Sequence, residues 1–189
     1  MWYTIKAKIL SFFSDIRLYW CGVILFGDSH YKIKGPQMRK VLDLVKPGDV
    51  FLRKYDHYLG SVLIKGFWSH AAIYVGNNQV IHMLGDGITQ EDILTFMRCD
   101  HIAILRCRDT TLTLIPIAIE KARNQMVRNF LPAGSRQVAY DYNFEEGDEK
   151  FYCTEFVSFC YGYPKFEQAG KIILPDDFLY SIFDNIWSY

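Results

Sequence analysis

A chain of 189 residues, half of them hydrophobic and 16% aromatic, can bury one full-sized core without covalent staples. Its 21 Lys and Arg balance 21 Asp and Glu, so the basic excess that phosphate neutralisation demands is missing and no nucleic-acid partner is expected. Five cysteines (Cys21, Cys99, Cys107, Cys153 and Cys160) are odd in number and form no CxxC pair, which reads as reduced thiols in an intracellular, cytoplasmic protein with no cofactor.

Near the N-terminus, Ile5, Ile9, Phe12, Phe13, Ile16 and Tyr19 recur at helical spacing. The expected element is an amphipathic helix that docks on the protein's own core. Contact with a membrane surface is the less favoured alternative, since only Lys6 and Lys8 stand near its start. The following apolar run, Leu18 to Phe26, falls far short of the roughly 20 residues a membrane-crossing helix needs, and no small-residue cleavage site follows it.

Gly35-Pro36 opens a short helical pattern (Met38, Val41, Leu42, Val45), and Lys46-Pro47-Gly48-Asp49 is turn chemistry that ends it. A strand is expected over Val50 to Arg53, then one or two helical turns between Tyr58 and Lys65, stopped by Gly66. The runs His70 to Val75 and Gln79 to Met83, joined by Gly76-Asn77-Asn78, read as a β-hairpin. Thr89 with Asp92 resembles a capping box for a helix through Phe96, and His101 to Arg106 reads as a strand. The longest helix is expected over Leu112 to Phe130. A loop-like mixture fills Pro132 to Lys150, a buried helix is expected from Tyr152 to Tyr161, and another begins at Pro175.

Cys153 is the candidate nucleophile. It follows an acidic loop (Glu145, Glu146, Asp148, Glu149) and precedes the apolar run Phe156 to Phe159, which puts it where a helix begins. Outward-pointing N–H groups at such a point stabilise a thiolate and the oxyanion formed when it attacks a carbonyl. Considered alone, a cysteine among aromatics is a small buried hydrophobe, and the other four cysteines keep that reading. The hairpin brings His70 and His82 within reach of each other, which supplies a base and a group that orients it. Taken without Cys153, both are ordinary strand histidines, as His30, His57 and His101 are read. A zinc site from His70, His82 and Cys153 is conceivable by ligand type, but the spacing matches no common zinc motif.

The ordered pieces Pro47-Gly48-Asp49-Val50, Phe67-Trp68-Ser69-His70-Ala71-Ala72-Ile73-Tyr74-Val75-Gly76, Tyr140-Asp141 and Phe151-Tyr152-Cys153-Thr154-Glu155-Phe156-Val157 resemble the YiiX-like group of permuted NlpC-type, papain-like cysteine peptidases. The histidine stands ahead of the cysteine, as circular permutation requires. The resemblance implies an α+β fold, with an antiparallel sheet or small barrel packed on the nucleophile's helix. It implies one domain, with a catalytic core at 46–160, an N-terminal helical extension at 1–45 and a C-terminal helical tail at 161–189. By the same analogy Cys153 is the nucleophile, His70 the general base, and Tyr140 a substrate contact or simply a packed loop aromatic. The third polar position falls at His82, where many YiiX-like members carry Glu. Histidine there is similar to the lecithin retinol acyltransferase-like group. The expected reaction is hydrolysis of a peptide or isopeptide-like amide through an acyl-enzyme. A thiol acyltransferase or lipid ester hydrolase, and an inactive binding module of the same fold, are the alternatives.

Overall fold

The computed structural model describes residues 17–18, 24–25, 31–58, 61, 64–108, 113–129, 138–141, 150–162 and 172–189. Arg17–Leu18 and Ile24–Leu25 form a short antiparallel ladder. The N-terminal helix expected to run to Tyr19 therefore does not include Arg17 and Leu18, and its remaining residues lie outside those described.

Six strands build one sheet: β1 (Val50–Lys54), β2 (His70–Gly76), β3 (Gln79–Leu84), β4 (Gly87–Asp92), β5 (His101–Cys107) and β6 (Phe183–Ser188). Their order across the sheet is β6-β5-β1-β2-β3-β4, every neighbouring pair antiparallel. This is an open sheet rather than a closed barrel. Helices α1 (Gly35–Leu44), α2 (Ile93–Phe96), α3 (Leu114–Asn129) and α4 (Cys153–Tyr161) cover it. Asn77 and Asn78 turn the β2–β3 hairpin with positive φ angles of 52° and 58°, a primed turn whose twist matches the strands it joins.

Both faces of the sheet are buried. On one, Leu52, Ala71, Ile73, Ile81, Met83 and Leu105 pack with Phe156, Val157 and Cys160 of α4 and with Ala118 and Ala122 of α3. On the other, Phe51, Ala72, Tyr74, Val80, Ile102 and Ile104 pack with Val41 of α1 and Ile93 and Phe96 of α2. Two-sided burial explains why β2 carries a nearly unbroken apolar run instead of alternating with polar residues.

Two sequence expectations are corrected. Thr89 lies within β4 and caps nothing. Asp92 is the N-cap of α2, its Oδ1 accepting the Leu94 N–H at 2.7 Å. The C-terminal tail is not helical throughout: after a 3-10 turn at Pro175–Tyr180 it enters the sheet as β6. Phe183 joins one core cluster while Ile186 and Trp187 pack against the other, so the strand covers what is otherwise an open edge of β5. Of the Tyr58–Lys65 segment, Ser61 is helical, Tyr58 forms an isolated bridge, Ile64 and Lys65 lie in a bend, and the rest is outside the described residues. Among the described residues no helix is long and apolar enough to cross a membrane.

The Pro47-Gly48-Asp49 motif has a structural explanation. Gly48 has a φ of +90°, and a Cβ there would lie 2.4 Å from Ile115 Cγ2, so only glycine fits. Its N–H donates to Tyr74 O at 2.7 Å, and its carbonyl accepts the Tyr161 hydroxyl. Asp49 is buried and accepts both Arg106 Nε at 2.8 Å and Nη2 at 2.7 Å, together with the Lys46 N–H at 2.7 Å. This bidentate pair locks the entry of β1 to β5. Asp49→Ala strands the guanidinium and one N–H, and it is expected to cost about 2–3 kcal/mol of stability, measured by urea denaturation.

Candidate active site

Cys153 is the first residue of α4. The Glu155 carboxylate turns back to accept the N–H of Tyr152, closing the first turn at 3.3 Å. The flanking residues are tied to the tail: Thr154 Oγ1 donates to Ile173 O at 2.6 Å, and the Tyr152 hydroxyl accepts the Ile173 N–H at 2.9 Å. The Cys153 side chain is buried at the helix start, where the main-chain N–H groups of Ala71, Thr154 and Cys153 itself act to lower its thiol pKa. Burial pushes the thiol above its usual range, and these three donors and the Arg53 charge offset only part of that push. At neutral pH the sulfur therefore rests as a thiol.

The two histidines of the hairpin meet. Ala72 and His82 are cross-strand partners, and His70 lies two residues before Ala72 on the same face. His70 Nε2 lies 2.8 Å from His82 Nδ1, with the rings at 81° to each other. Beyond them, His82 Nε2 lies 3.1 Å from Glu91 Oε1, out of line for a well-formed hydrogen bond. Glu91 comes from β4, two residues past Thr89, the cross-strand partner of His82. Arg53, opposite His70 on β1, lies over the Phe96 ring at 4.2 Å and reaches Glu91 Oε1 at 3.4 Å. Burial first, and then the nearby Arg53 charge, holds His70 well below the ordinary histidine value. Burial also lowers His82, although Glu91 pulls in the opposite direction. Burial pushes the Glu91 carboxyl up, but His82 and Arg53 outweigh it and the net shift is downward.

The structure thus joins His70 to His82 and brings Cys153 to the main chain beside His70. No hydrogen bond links the thiol to the His70 ring. The sulfur belongs to the core cluster under α4, while the imidazoles lean on Phe96 from the opposite cluster. His70 is the first residue of β2, and the residue after it, Ala71, belongs to the same buried cluster as Cys153. Tyr140 is half-buried against the α4-side core, in a two-residue parallel ladder with Phe151. Among the described residues no group of His, Cys, Asp and Glu side chains is arranged to hold a metal ion, and His70, His82 and Cys153 make no zinc set.

Sequence reasoning missed three contributors. Arg53 and Glu91 escaped because a lone charge in a strand carries no local signal, and because the segment 89–92 read as a helix start rather than a strand. An alternating reading of β4 places Glu91 on the His82 face. The third is Asp176, whose Oδ2 accepts the Phe67 N–H at 2.5 Å and whose Oδ1 accepts the Trp68 N–H at 3.3 Å, anchoring the loop that delivers His70. Gly66, with a φ of +112°, is where that loop passes the carboxylate too closely for any Cβ.

The depressed histidine values set a pH dependence. The unfolded chain takes up protons on these rings near pH 6.5, whereas the folded chain resists until lower pH, so stability is full above that value and is lost as pH falls below it. Melting temperature is expected to drop on acidification from pH 7 to pH 5. A His70→Gln/His82→Gln variant is expected to show a shallower drop over that interval. The lowered carboxylates of Asp56 and Glu91 act in a separate, more acid window below about pH 4.5.

Residues 44–179 match the model of one family, described as permuted papain-like amidase enzymes, YaeF/YiiX, C92 family. No curated protein and no solved structure matches the chain. The matched span takes in the Pro47-Gly48-Asp49 turn, the histidine hairpin, the Cys153 helix and the Asp176 anchor, with the histidines preceding the cysteine as a permuted papain-like order requires. With that order on an antiparallel sheet backed by the Cys153 helix, the chain belongs to the permuted papain-like amidase family.

Proposed function

We propose that this protein hydrolyses amide bonds of peptide or isopeptide type through a Cys153 acyl-enzyme, with His70 as the general base and His82 orienting it. The observation that carries the proposal is the position of Cys153: it is the first residue of α4 and shares a buried cluster with Ala71, the residue next to His70. His70 Nε2 is engaged by His82, which leaves Nδ1 for the thiol proton. Sulfur attacks the carbonyl carbon as its proton passes to His70 Nδ1, and the developing oxyanion falls within reach of N–H groups at the helix start. His70 then protonates the amine, which departs and leaves a thioester. Water, deprotonated by the same nitrogen, displaces the sulfur and releases the acid. Because thiol and imidazole are both neutral at rest, the proton moves only when substrate covers the site and closes their separation, which is often loose in an unliganded enzyme.

A cleft of about 550 Å³ lined by Lys54, Tyr55, Asp56, His57, Ser61, Ile64, Lys65 and Gly66 opens beside the loop leading to His70. Its wall carries both signs of charge and one aliphatic side chain. That suits a polar peptide better than a long acyl chain, which calls for a predominantly apolar slot.

Purified protein assayed against peptidyl amides and long-chain acyl esters tests the proposal. The amides are expected to turn over faster, with a mass shift on Cys153 under single-turnover conditions. Cys153→Ala and His70→Asn are each expected to lower turnover by at least about 10³-fold while the melting temperature stays near that of the parent protein. Acylation by long-chain esters alone would replace the peptidase reading with a lipid-directed one. Unchanged turnover in Cys153→Ala would end both.

A further inference from the structure

We infer that Glu91 is a positioning residue for the proposed reaction: its carboxylate holds His82 in the tautomer that turns His70 Nδ1 into the base. The inference rests on the Cys153–His70 reading above and extends it by one strand. His82 presents Nδ1 to His70 at 2.8 Å, and its Nε2 lies 3.1 Å from the Glu91 carboxylate, at ion-pair distance though out of line for a well-formed hydrogen bond, so the pull on the proton is electrostatic. An ionised carboxylate only accepts, so the proton of a neutral His82 belongs on Nε2, and the Nδ1 lone pair faces His70. His70 must then carry its own proton on Nε2, and its Nδ1 is left as a lone pair. The order from the outside inward is carboxylate, imidazole, imidazole, thiol.

Electrostatics points the same way. A neutral His82 orients His70 but stabilises its imidazolium weakly, and the Arg53 charge nearby opposes that imidazolium. Glu91 supplies the missing negative charge and at the same time occupies Arg53, at 3.4 Å. Each packed element contributes to this cluster: Arg53 comes from β1, His70 from β2, His82 from β3, and α2 contributes the Phe96 carbonyl, which accepts Arg53 Nη1 at 3.3 Å. Tyr55 and Cys99, also near Arg53, are both pushed up to about 12 by burial and remain neutral. Glu91 is thus the anion of this group.

The chain can be read without knowing the substrate by following alkylation of Cys153 with iodoacetamide, resolved by mass spectrometry across pH. In that step sulfur bonds to the methylene carbon, iodide leaves and the thiol proton passes to His70. The parent protein is expected to react at neutral pH more slowly than an exposed thiol but faster than ionisation of its raised thiol alone allows, because His70 takes the proton. Glu91→Gln is expected to slow the reaction at pH 7 by about tenfold or more, because an amide can donate to His82 and reverse both tautomers. The two proteins should converge at alkaline pH, where the thiol ionises unaided. Glu91→Asp is expected to restore most of the neutral-pH rate, and Glu91→Gln should add nothing in a His82→Gln background. His70→Asn is the control for the underlying reading. If it slows alkylation while Glu91→Gln overlays the parent profile, or if Glu91→Asp fails to recover the rate, Glu91 merely pairs with Arg53 and the inference is overturned. If His70→Asn overlays the parent profile as well, the failure belongs to the Cys153–His70 reading itself.

Discussion

The site depends on one residue, Ala71, which follows His70 in β2 and packs with Cys153, whose thiol pKa its main-chain N–H acts to lower. Helix α4 packs on one face of a sheet that is buried on both, while the imidazoles of His70 and His82 lean on the other, and the step from His70 to Ala71 in β2 links the two. Everything near that point serves to hold it still. Asp176 anchors the incoming loop by two N–H groups, Thr154 and Tyr152 tie the helix start to Ile173, and Arg53 braces the strand opposite. A main-chain N–H costs no side-chain entropy to order, which makes the main chain a stiffer support here than a side-chain contact.

Burial has opposite effects on the Cys153 thiol and the His70 imidazole, and the result is a neutral pair. The thiol is pushed up and the imidazole is pushed down, so neither ionises at rest. Arg53 sharpens the arrangement, because its positive charge favours the thiolate and disfavours the imidazolium. Glu91 is placed to moderate the second effect without cancelling the first, since it contacts His82 and Arg53 directly.

The C-terminal segment shows how the boundaries of a motif mislead. The residues that resemble the family end near Cys160, yet Ile173 ties down the start of the Cys153 helix, Asp176 anchors the loop before His70, and β6 completes the sheet edge. The family match to residue 179 includes the two anchors and stops short of the strand. Local pattern reads Pro175 with two following acids as a helix start, and a single 3-10 turn does form there. The hydrogen bonds of Asp176, however, go to a loop more than a hundred positions earlier in the chain.

What the sequence alone determined was local or periodic. The hairpin follows from its β-rich runs and Asn-Asn turn, the Pro47-Gly48-Asp49 turn from residues that permit positive φ, and the helix at Cys153 from an acidic loop meeting an apolar run. The order of histidine before cysteine then identified the family. The tertiary structure alone decided which charges gather around the imidazoles, how the sulfur reaches the end of β2, and that the tail ends as a strand. Those features depend on register and on contacts across strands, where moving one residue reverses a side chain's face, and no window of sequence carries that information.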